Sequence, residues 1–400
     1  MTRDGRLIAA VAAATVLNLP FGTIYAFSVF LKPMEALLDI GRAQMTAVFA
    51  LASVSLTLGM VIGPRIYRAV PPALLLLLSG AASALGLVMT AMAVSLPMFV
   101  IGYGVLFGLG AGICFIVLQQ GVNQTVARAS GLINGYVVSL YPVGAMIGAP
   151  VFGWAIEAYG LRAMLLGLAG TLLACTAAAC VLVRMADIRM HDATSAAAGT
   201  EARRWDVFAR LFAIFFLAAA AGLMVMSQAA GIVIAYGGTL ALALGATTFI
   251  TGAIAAARIS GGWLVDRYQM PRVAAGAHLC SLAGAILITL WPVPQVAVPA
   301  LALIGMGYGF ISGSTAGCIS HYWHRNAFGH VAGQLYIAWC VAAVSLPVLA
   351  GWLFDRTQGY GVAVLIGAAG NALGVIIAMG LPGRDAPAPS LAQPVAAAPR

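Results

Sequence analysis

Charged residues are scarce in this 400-residue chain: Asp, Glu, Lys and Arg make up 8% of it, and hydrophobic residues 62%. Soluble domains carry about 25% charged residues. A soluble chain of this length would also need two or three domains joined by polar linkers. Here, short polar stretches separate apolar runs of about twenty residues, enough for a helix to cross roughly 30 Å of hydrocarbon. The composition therefore excludes a soluble protein and predicts a polytopic membrane protein.

Groups that could carry catalysis are also lacking at membrane depth. All 11 acidic residues fall in loops, tails or the ends of apolar runs. No paired acids, metal cluster or nucleophile with a neighbouring base stands within the runs, so we expect no enzyme, cofactor or metal site. The six cysteines lack metal-ligand spacing and are interpreted as small packing residues. His321, His324 and His330 share a basic loop without acid or thiol ligands, which favours a solvated loop.

The apolar runs predict an all-α membrane protein of twelve transmembrane helices. They are expected at residues 7–30, 43–62, 72–94, 96–118, 131–153, 162–184, 207–230, 241–264, 273–292, 296–318, 331–354 and 360–381.

The net charge of +9 is explained by where the basic residues lie. With both termini in the cytoplasm, fifteen arginines fall in inside segments. The outside loops then hold only Lys32, Arg42, Arg162 and Arg356. This asymmetry follows the positive-inside rule, so nucleic acid is not needed as a partner. We expect a multi-pass monomer in a bacterial cytoplasmic membrane, with the lipid bilayer as its surroundings.

A duplication is indicated by the order of the helices. Residues 185–206 form the longest polar interruption and predict a cytoplasmic linker between two pseudo-symmetric six-helix bundles, 1–184 and 207–381, followed by a disordered tail at 382–400. PVFGWAIE in the fifth helix and PVLAGWLFD in the eleventh place Gly153 opposite Gly351, Trp154 opposite Trp352 and Glu157 opposite Asp355, all at one offset. Duplicated transporter folds carry such weak repeats, although Gly and Trp are also common at helix ends.

A loop after the eighth helix reads GGWLVDRYQMPR and fits G-x-x-x-D-R through Gly262, Asp266 and Arg267. It resembles the signature loop of the major facilitator superfamily. The resemblance implies that the glycine lets two helices approach, while the acid and the bases lock one conformation. An ordinary basic turn is the alternative. The matching first-half stretch, GMVIGPRIYR, lacks the aspartate.

Arg258 is the residue that most directly indicates a binding site. It lies eight residues before Asp266, about 12 Å along a helix, and therefore near mid-membrane, where no acid can pair with it. An isolated charge at that depth costs about 2.5 to 3.5 kcal/mol on insertion scales and marks a functional site by default. A bound carboxylate suits its planar fork. Alternatively, Arg258 bonds to backbone carbonyls or reaches toward the cytoplasmic surface.

Three stretches carry a more specific resemblance: NLPFGTIYAFSVFLKP, ARISGGWLVDR and RNAFGHVAGQLYIAW. They look like the oxalate:formate antiporter family and the neighbouring monocarboxylate porters. The resemblance implies that Arg258 binds a carboxylate. It also implies that Trp339 stands where oxalate transporters have a second cation, a lysine, so a small organic monoanion is expected as substrate. Ile254 replaces the proton-carrying aspartate of monocarboxylate porters.

Further pocket candidates follow from helix and depth: Tyr25, Ser28, Gln119, Tyr308 and Tyr336 can supply hydrogen bonds and an aromatic wall. Any of them could instead pack or face lipid. His278 could titrate near neutrality, although packing is the commoner role for such a histidine.

The expected function is secondary active transport of a small organic anion by alternating access. Drug or metabolite efflux is the alternative within the same superfamily, because the GAMIGAP stretch of the fifth helix, with Gly144, Gly148 and Pro150, is similar to antiporter patterns. Close helix packing explains that stretch equally well. A non-transporting membrane sensor is the alternative from another class, but the chain offers no evident effector domain.

Overall fold

The computed structural model describes residues 2–67, 69–126, 130–188, 190, 205–323 and 327–383, and within these ranges the chain is helical with no strand. The helices are α1 Arg3–Phe21, α2 Ser28–Leu38, α3 Arg42–Ile66, α4 Pro72–Ala91, α5 Leu96–Phe99, α6 Gly108–Thr125, α7 Ser130–Met185, α8 Trp205–Ala235, α9 Leu240–Arg267, α10 Met270–Leu290, α11 Pro294–Tyr322, α12 Phe328–Val344, α13 Leu346–Thr357 and α14 Gly361–Met379. A 3₁₀ segment, Gly22–Ala26, follows α1, and a π-helical segment, Val100–Phe107, joins α5 to α6.

The described residues contain eleven continuous helical stretches long and apolar enough to cross a membrane. The longest, α7, turns back at Gly160, whose φ of 84° and ψ of 162° are not helical. Glycine adopts this left-handed backbone readily because it has no Cβ. The prediction of twelve spanning helices is therefore confirmed, with α7 supplying the fifth and sixth. Most of the predicted linker and tail lies outside the described residues.

Two spans that were predicted as uninterrupted helices contain breaks. The first tightens into the 3₁₀ segment that carries Tyr25. The eleventh breaks at Ser345, whose φ of −96° and ψ of −92° separate α12 from α13. Pro347 stands two residues later, and a proline has no N–H to bond to the preceding turn. The first break contains the candidate pocket residue Tyr25, whereas Tyr336 and Trp339 lie within the helix that precedes the second break.

Glycines allow the helices of each half to meet at backbone distance. A Cβ atom at Gly112 of α6 would overlap the backbone of Leu56 in α3, and one at Gly59 of α3 would overlap the Leu109 carbonyl of α6. Helices in lipid associate mainly through such close packing, because burial from water gives no drive there. Small residues at these crossings therefore hold the bundle together.

The two halves meet chiefly through α7 packing against α9 and α11, and through α12 packing against α3. Around Arg258 the approach of α7, α9 and α11 is very close. A Cβ atom at Gly135 of α7 or at Gly313 of α11 would overlap the Arg258 carbonyl oxygen. Three helices from both halves thus converge on this arginine.

The Gly112 crossing predicts a matched pair of stability effects. Gly112→Ala should lower the thermal unfolding midpoint of the purified protein, because overpacking of this kind costs about 1 to 3 kcal/mol. Gly276→Ala on α10, where a Cβ would meet nothing within 4 Å, should leave the midpoint unchanged or raise it, since alanine favours helix. Fluorescence-detected unfolding in detergent measures both. Equal midpoints for the two variants would contradict the packing argument.

Candidate functional site

The guanidinium of Arg258 is enclosed between the two halves. The residue is 2% exposed. Its Nη1 donates a 2.9 Å hydrogen bond to the Val138 carbonyl of α7, and its Nη2 donates a 2.9 Å hydrogen bond to the Tyr308 hydroxyl of α11. Its Cζ also lies 5.2 Å from the centre of the Tyr308 ring. Arg258 therefore connects the first half of the chain to the second.

The carbonyl that Arg258 contacts is available because of a proline. In a helix the carbonyl of residue 138 would normally accept from the N–H of residue 142, but Pro142 stands there inside α7 and has no N–H. The Val138 oxygen is thus left without its helical donor, and Arg258 supplies one.

These contacts compensate the buried charge only in part. Among the described residues no carboxylate pairs with Arg258. A cation–π contact contributes about 2 kcal/mol or more when desolvated, and hydrogen bonds involving a charged group contribute about 1.5 to 3 kcal/mol each. A guanidinium has five N–H donors, and Nε has no hydrogen-bond partner. An anion would complete the set.

Arg258 lines a cavity shared by both halves. The first half contributes Tyr25, Leu56, Met60, Phe115, Val138 and Tyr141, and the second half contributes Arg258, Tyr308, Ser312, Tyr336 and Trp339. The volume of this cavity that the centre of a water molecule can occupy is about 30 Å³. One water needs about 10 to 15 Å³ by that measure, so the space in this conformation admits only a very small occupant.

The Tyr308 hydroxyl connects the cation to the aromatic wall. It accepts from Arg258 Nη2 and, at 3.0 Å, from Nε1 of Trp339. A phenolic oxygen has two acceptor positions and one proton. With both positions occupied, the proton of Tyr308 must point elsewhere, and it is available to an acceptor in the cavity.

A run of five aromatic rings forms the rest of the wall. The order is Tyr336, Phe115, Tyr141, Tyr25 and Trp339, with successive ring centres 5.5, 5.2, 6.1 and 6.2 Å apart. Both halves contribute, because Tyr336 and Trp339 lie on α12 while the other three belong to the first half. A molecule bound in this cavity would therefore meet ring faces and edges.

The lining residues repeat at the offset that relates Trp154 to Trp352. Met60 corresponds to Arg258, Val138 to Tyr336, and Tyr141 to Trp339, and both members of each pair line the cavity. The cavity is therefore built from equivalent positions of the two halves. Its charge is not symmetric, because the position equivalent to Arg258 carries a thioether.

The structure brings together five of the seven predicted pocket residues: Tyr25, Arg258, Tyr308, Tyr336 and Trp339 line the cavity. Gln119 does not line it. Its buried amide lies against Tyr336 without a hydrogen bond of good geometry. The side chain of Ser28 lies outside the described part of the chain.

Six lining residues were not predicted from the sequence: Leu56, Met60, Phe115, Val138, Tyr141 and Ser312. Applying the repeat offset to Arg258, Tyr336 and Trp339 would have identified half of them. Val138 acts through its backbone carbonyl, for which Pro142 was the available signal.

His278 lies outside the cavity lining. It is fully buried between α10 and α14, and its Nδ1 is 2.8 Å from the Asn371 side-chain oxygen. A Cβ at Gly374 would overlap the imidazole ring. These contacts give His278 a packing role between two helices of the second half.

The signature loop joins the halves at the end of α9. Both carboxylate oxygens of Asp266 accept backbone N–H bonds at the start of α7, from Gly131 at 2.8 Å and from Leu132 at 2.9 Å. A carboxylate is favoured there by the free N–H groups and the helix dipole. Gly262 lets the helices touch, because its Cβ would overlap the Gly131 carbonyl. Arg267 lies over the Trp263 ring at 4.2 Å.

Removing the Tyr308 hydroxyl tests its linking role. Tyr308→Phe should weaken binding of a carboxylate probe by about 5- to 30-fold, the equivalent of one to two hydrogen bonds, with the fold retained. Tyr159→Phe is the matched control, because it removes an exposed hydroxyl that does not line the cavity, and it should leave affinity unchanged. Isothermal titration in detergent measures both. Equal affinities would exclude Tyr308 as a binding group.

Comparison with known proteins gives relatives of similar length. The chain is 26% identical to monocarboxylate transporter 11 of Mus musculus, over 94% of this chain and 87% of that protein. It is 22% identical to the MFS-type transporter YhjX of Escherichia coli, over 81% and 82%. It is 24% identical to monocarboxylate transporter 13 of Rattus norvegicus, over 74% and 69%.

Solved structures share the fold at lower identity. The proton:xylose symporter XylE superposes with a TM-score of 0.74 at 13% identity, covering 96% of this chain and 97% of that one. The transporter FucP in the outward conformation gives 0.69 at 15%, covering 94% and 99%. The Major Facilitator Superfamily model itself matches residues 11–347. This chain is therefore a multi-pass membrane transporter that belongs to the major facilitator superfamily.

Proposed function

We propose that this transporter carries a small monocarboxylate by alternating access. The observation that carries the proposal is the buried Arg258 guanidinium, located between the halves with an unbonded Nε and no carboxylate partner among the described residues. A carboxylate matches its charge and its planar donor geometry. Two relatives named monocarboxylate transporters agree with this substrate class.

A single negative charge is favoured over two. Met60 occupies the position equivalent to Arg258, and Trp339 occupies the position of the second cation in the oxalate transporters that this sequence resembles. Both line the cavity. A second carboxylate would therefore meet apolar or aromatic groups, and burying an unpaired charge is costly.

The transport cycle follows from the contact between Arg258 and Val138. In this conformation the bond joins α9 to α7. A carboxylate that binds the guanidinium would replace it, neutralise the charge and let one half rock against the other around the midplane. Without a bound anion, the same motion would break the hydrogen bond from Arg258 to the Val138 carbonyl and leave the charge uncompensated. Exchange of one anion for another is therefore favoured. Ile254, buried one turn before Arg258, offers no acid to carry a proton.

The location proposed for this activity is a bacterial cytoplasmic membrane with both termini inside. The excess of arginine in the loops assigned to the cytoplasm supports it.

A ligand screen with an Arg258 variant tests the proposal. Short monocarboxylates should raise the unfolding midpoint of the wild type, because a ligand at 100 times its Kd adds about 2.7 kcal/mol to stability. Arg258→Gln should lower affinity at least about 30-fold, the low end of the cost of breaking a buried charged contact. Arg356→Gln, which removes a surface cation stacked on Trp352, controls for net charge.

The control should respond like the wild type. If no carboxylate raises the unfolding midpoint, or if the Arg258 variant responds equally, the assignment of Arg258 as an anion-binding group is wrong. The alternative, drug or metabolite efflux, should then be tested by drug resistance on overexpression.

Trp339 provides a separate test of the preference for one charge. Trp339→Lys places a second cation in the cavity with Arg258, so the ratio of oxalate to formate affinity should rise at least about tenfold, or 1.4 kcal/mol. Trp339→Met, which removes the ring without adding charge, should not raise it. Titration of monodisperse protein measures the ratios. An unchanged ratio in the lysine variant would contradict the assignment of one cation to one carboxylate.

A further inference from the structure

The first half lacks an aspartate equivalent to Asp266, the residue of the second-half signature loop that binds the start of α7. At the offset that relates Trp154 to Trp352, the position equivalent to Asp266 is Arg68. Asp266 binds the free N–H groups at the start of α7, including that of Gly131. The position equivalent to Gly131 is Gly329, at the start of α12. The start of α12 therefore requires an acceptor that the loop sequence does not supply.

Gln120 supplies that acceptor from a different helix. Its Oε1 accepts a 2.7 Å hydrogen bond from the Gly329 N–H. Gln120 lies on α6 of the first half and is 1% exposed, whereas α12 belongs to the second half. The helices touch closely here, because a Cβ at Gly329 would overlap the Tyr67 hydroxyl at the end of α3. This contact thus joins the halves at the same level as Asp266 and α7.

The equivalent glycines one turn further along strengthen the match. A Cβ at Gly135 would overlap the Arg258 carbonyl, and a Cβ at Gly333 would overlap the carbonyl of Met60, the position equivalent to Arg258. The α12–α3 contact therefore repeats the α7–α9 contact in its backbone geometry. Only the group that bonds to the helix start differs.

A second polar contact adjoins Gln120. Asn123, one turn along α6, accepts a 3.2 Å hydrogen bond from the Ser320 hydroxyl of α11. Asn123 is itself held by two hydrogen bonds exchanged with Asn134 of α7. The α6 end is therefore a fixed platform from which Gln120 reaches the other half.

We propose that Gln120 is a neutral latch that replaces the missing aspartate and holds the cytoplasmic ends of α3, α6 and α12 together. This role rests on alternating access in the proposed function, but not on the identity of the substrate. Asp266 presents a charged carboxylate with two bonds to its helix start, whereas Gln120 presents one amide oxygen to Gly329. Charged acceptors bind helix N-termini more strongly. The contact of Gln120 with α12 is therefore weaker than the contact of Asp266 with α7, and the α12 contact should break first when the halves separate.

Distance measurements on the ligand-free protein test the latch. Spin labels at the exposed positions Arg65 and His330, in a background lacking the native cysteines, report the separation of α3 from α12 by double electron–electron resonance. Gln120→Leu removes the acceptor and should raise the long-distance population about 2- to 10-fold, the effect expected for one hydrogen bond. Gln120→Glu places a carboxylate at the helix start and should keep or increase the short-distance population.

Gln228→Leu is the matched control, because its hydrogen bond from Tyr360 lies within the second half. Its distance distribution should equal that of the parent. The latch is overturned if Gln120→Leu also matches the parent, or if Gln120→Glu opens the α12 side as much as Gln120→Leu does. These distances require no substrate. A failed carboxylate screen together with a release in Gln120→Leu would reject the proposed substrate and retain the latch.

Discussion

The hydrogen bond between Arg258 and the Val138 carbonyl is the interaction on which the central site depends. It joins the two halves through a buried guanidinium that has no carboxylate partner among the described residues. Pro142 makes the bond possible by leaving the carbonyl without its helical donor. Gly135 and Gly313 bring α7 and α11 against the Arg258 backbone. Charge, carbonyl and helix packing thus serve one arrangement, in which, under the proposed function, an anion would compete with the Val138 carbonyl for the guanidinium.

The two halves share backbone contacts at equivalent positions but carry different side chains there, and this difference explains both the cavity and the contacts at the starts of α7 and α12. The helix contacts of one half recur in the other at the same offset, and three pairs of lining residues follow it. The chemistry differs within those pairs: arginine corresponds to methionine, and tryptophan to tyrosine. Where the halves meet at the starts of α7 and α12, an aspartate bonds to one helix start and a glutamine to the other. The repeated backbone contacts supply the frame, and the differences between the halves give the cavity lining one cation and the two helix starts unlike acceptors.

Much of this architecture could be predicted from sequence because lipid imposes a simple rule. Every span must be apolar and about twenty residues long, so the positions of the apolar runs predicted the twelve helices, and the spacing from Asp266 placed Arg258 inside one of them. The break at Ser345 and the 3₁₀ segment holding Tyr25 were not predicted, because prolines such as Pro142 and Pro150 also lie inside continuous helix, so Pro347 alone did not mark an interruption. The Val138 carbonyl was missed because backbone groups carry no sequence identity, and Gln120 because its partner lies in the other half.

The most direct test of this mechanism is a structure of the protein with a monocarboxylate bound. We predict that the carboxylate lies between the halves, with its oxygens within hydrogen-bond distance of the Arg258 guanidinium and the Tyr308 hydroxyl. We also predict that the bond from Arg258 to the Val138 carbonyl is lengthened or lost. A ligand bound elsewhere, with that bond intact and Nε still without a partner, would contradict the central claim.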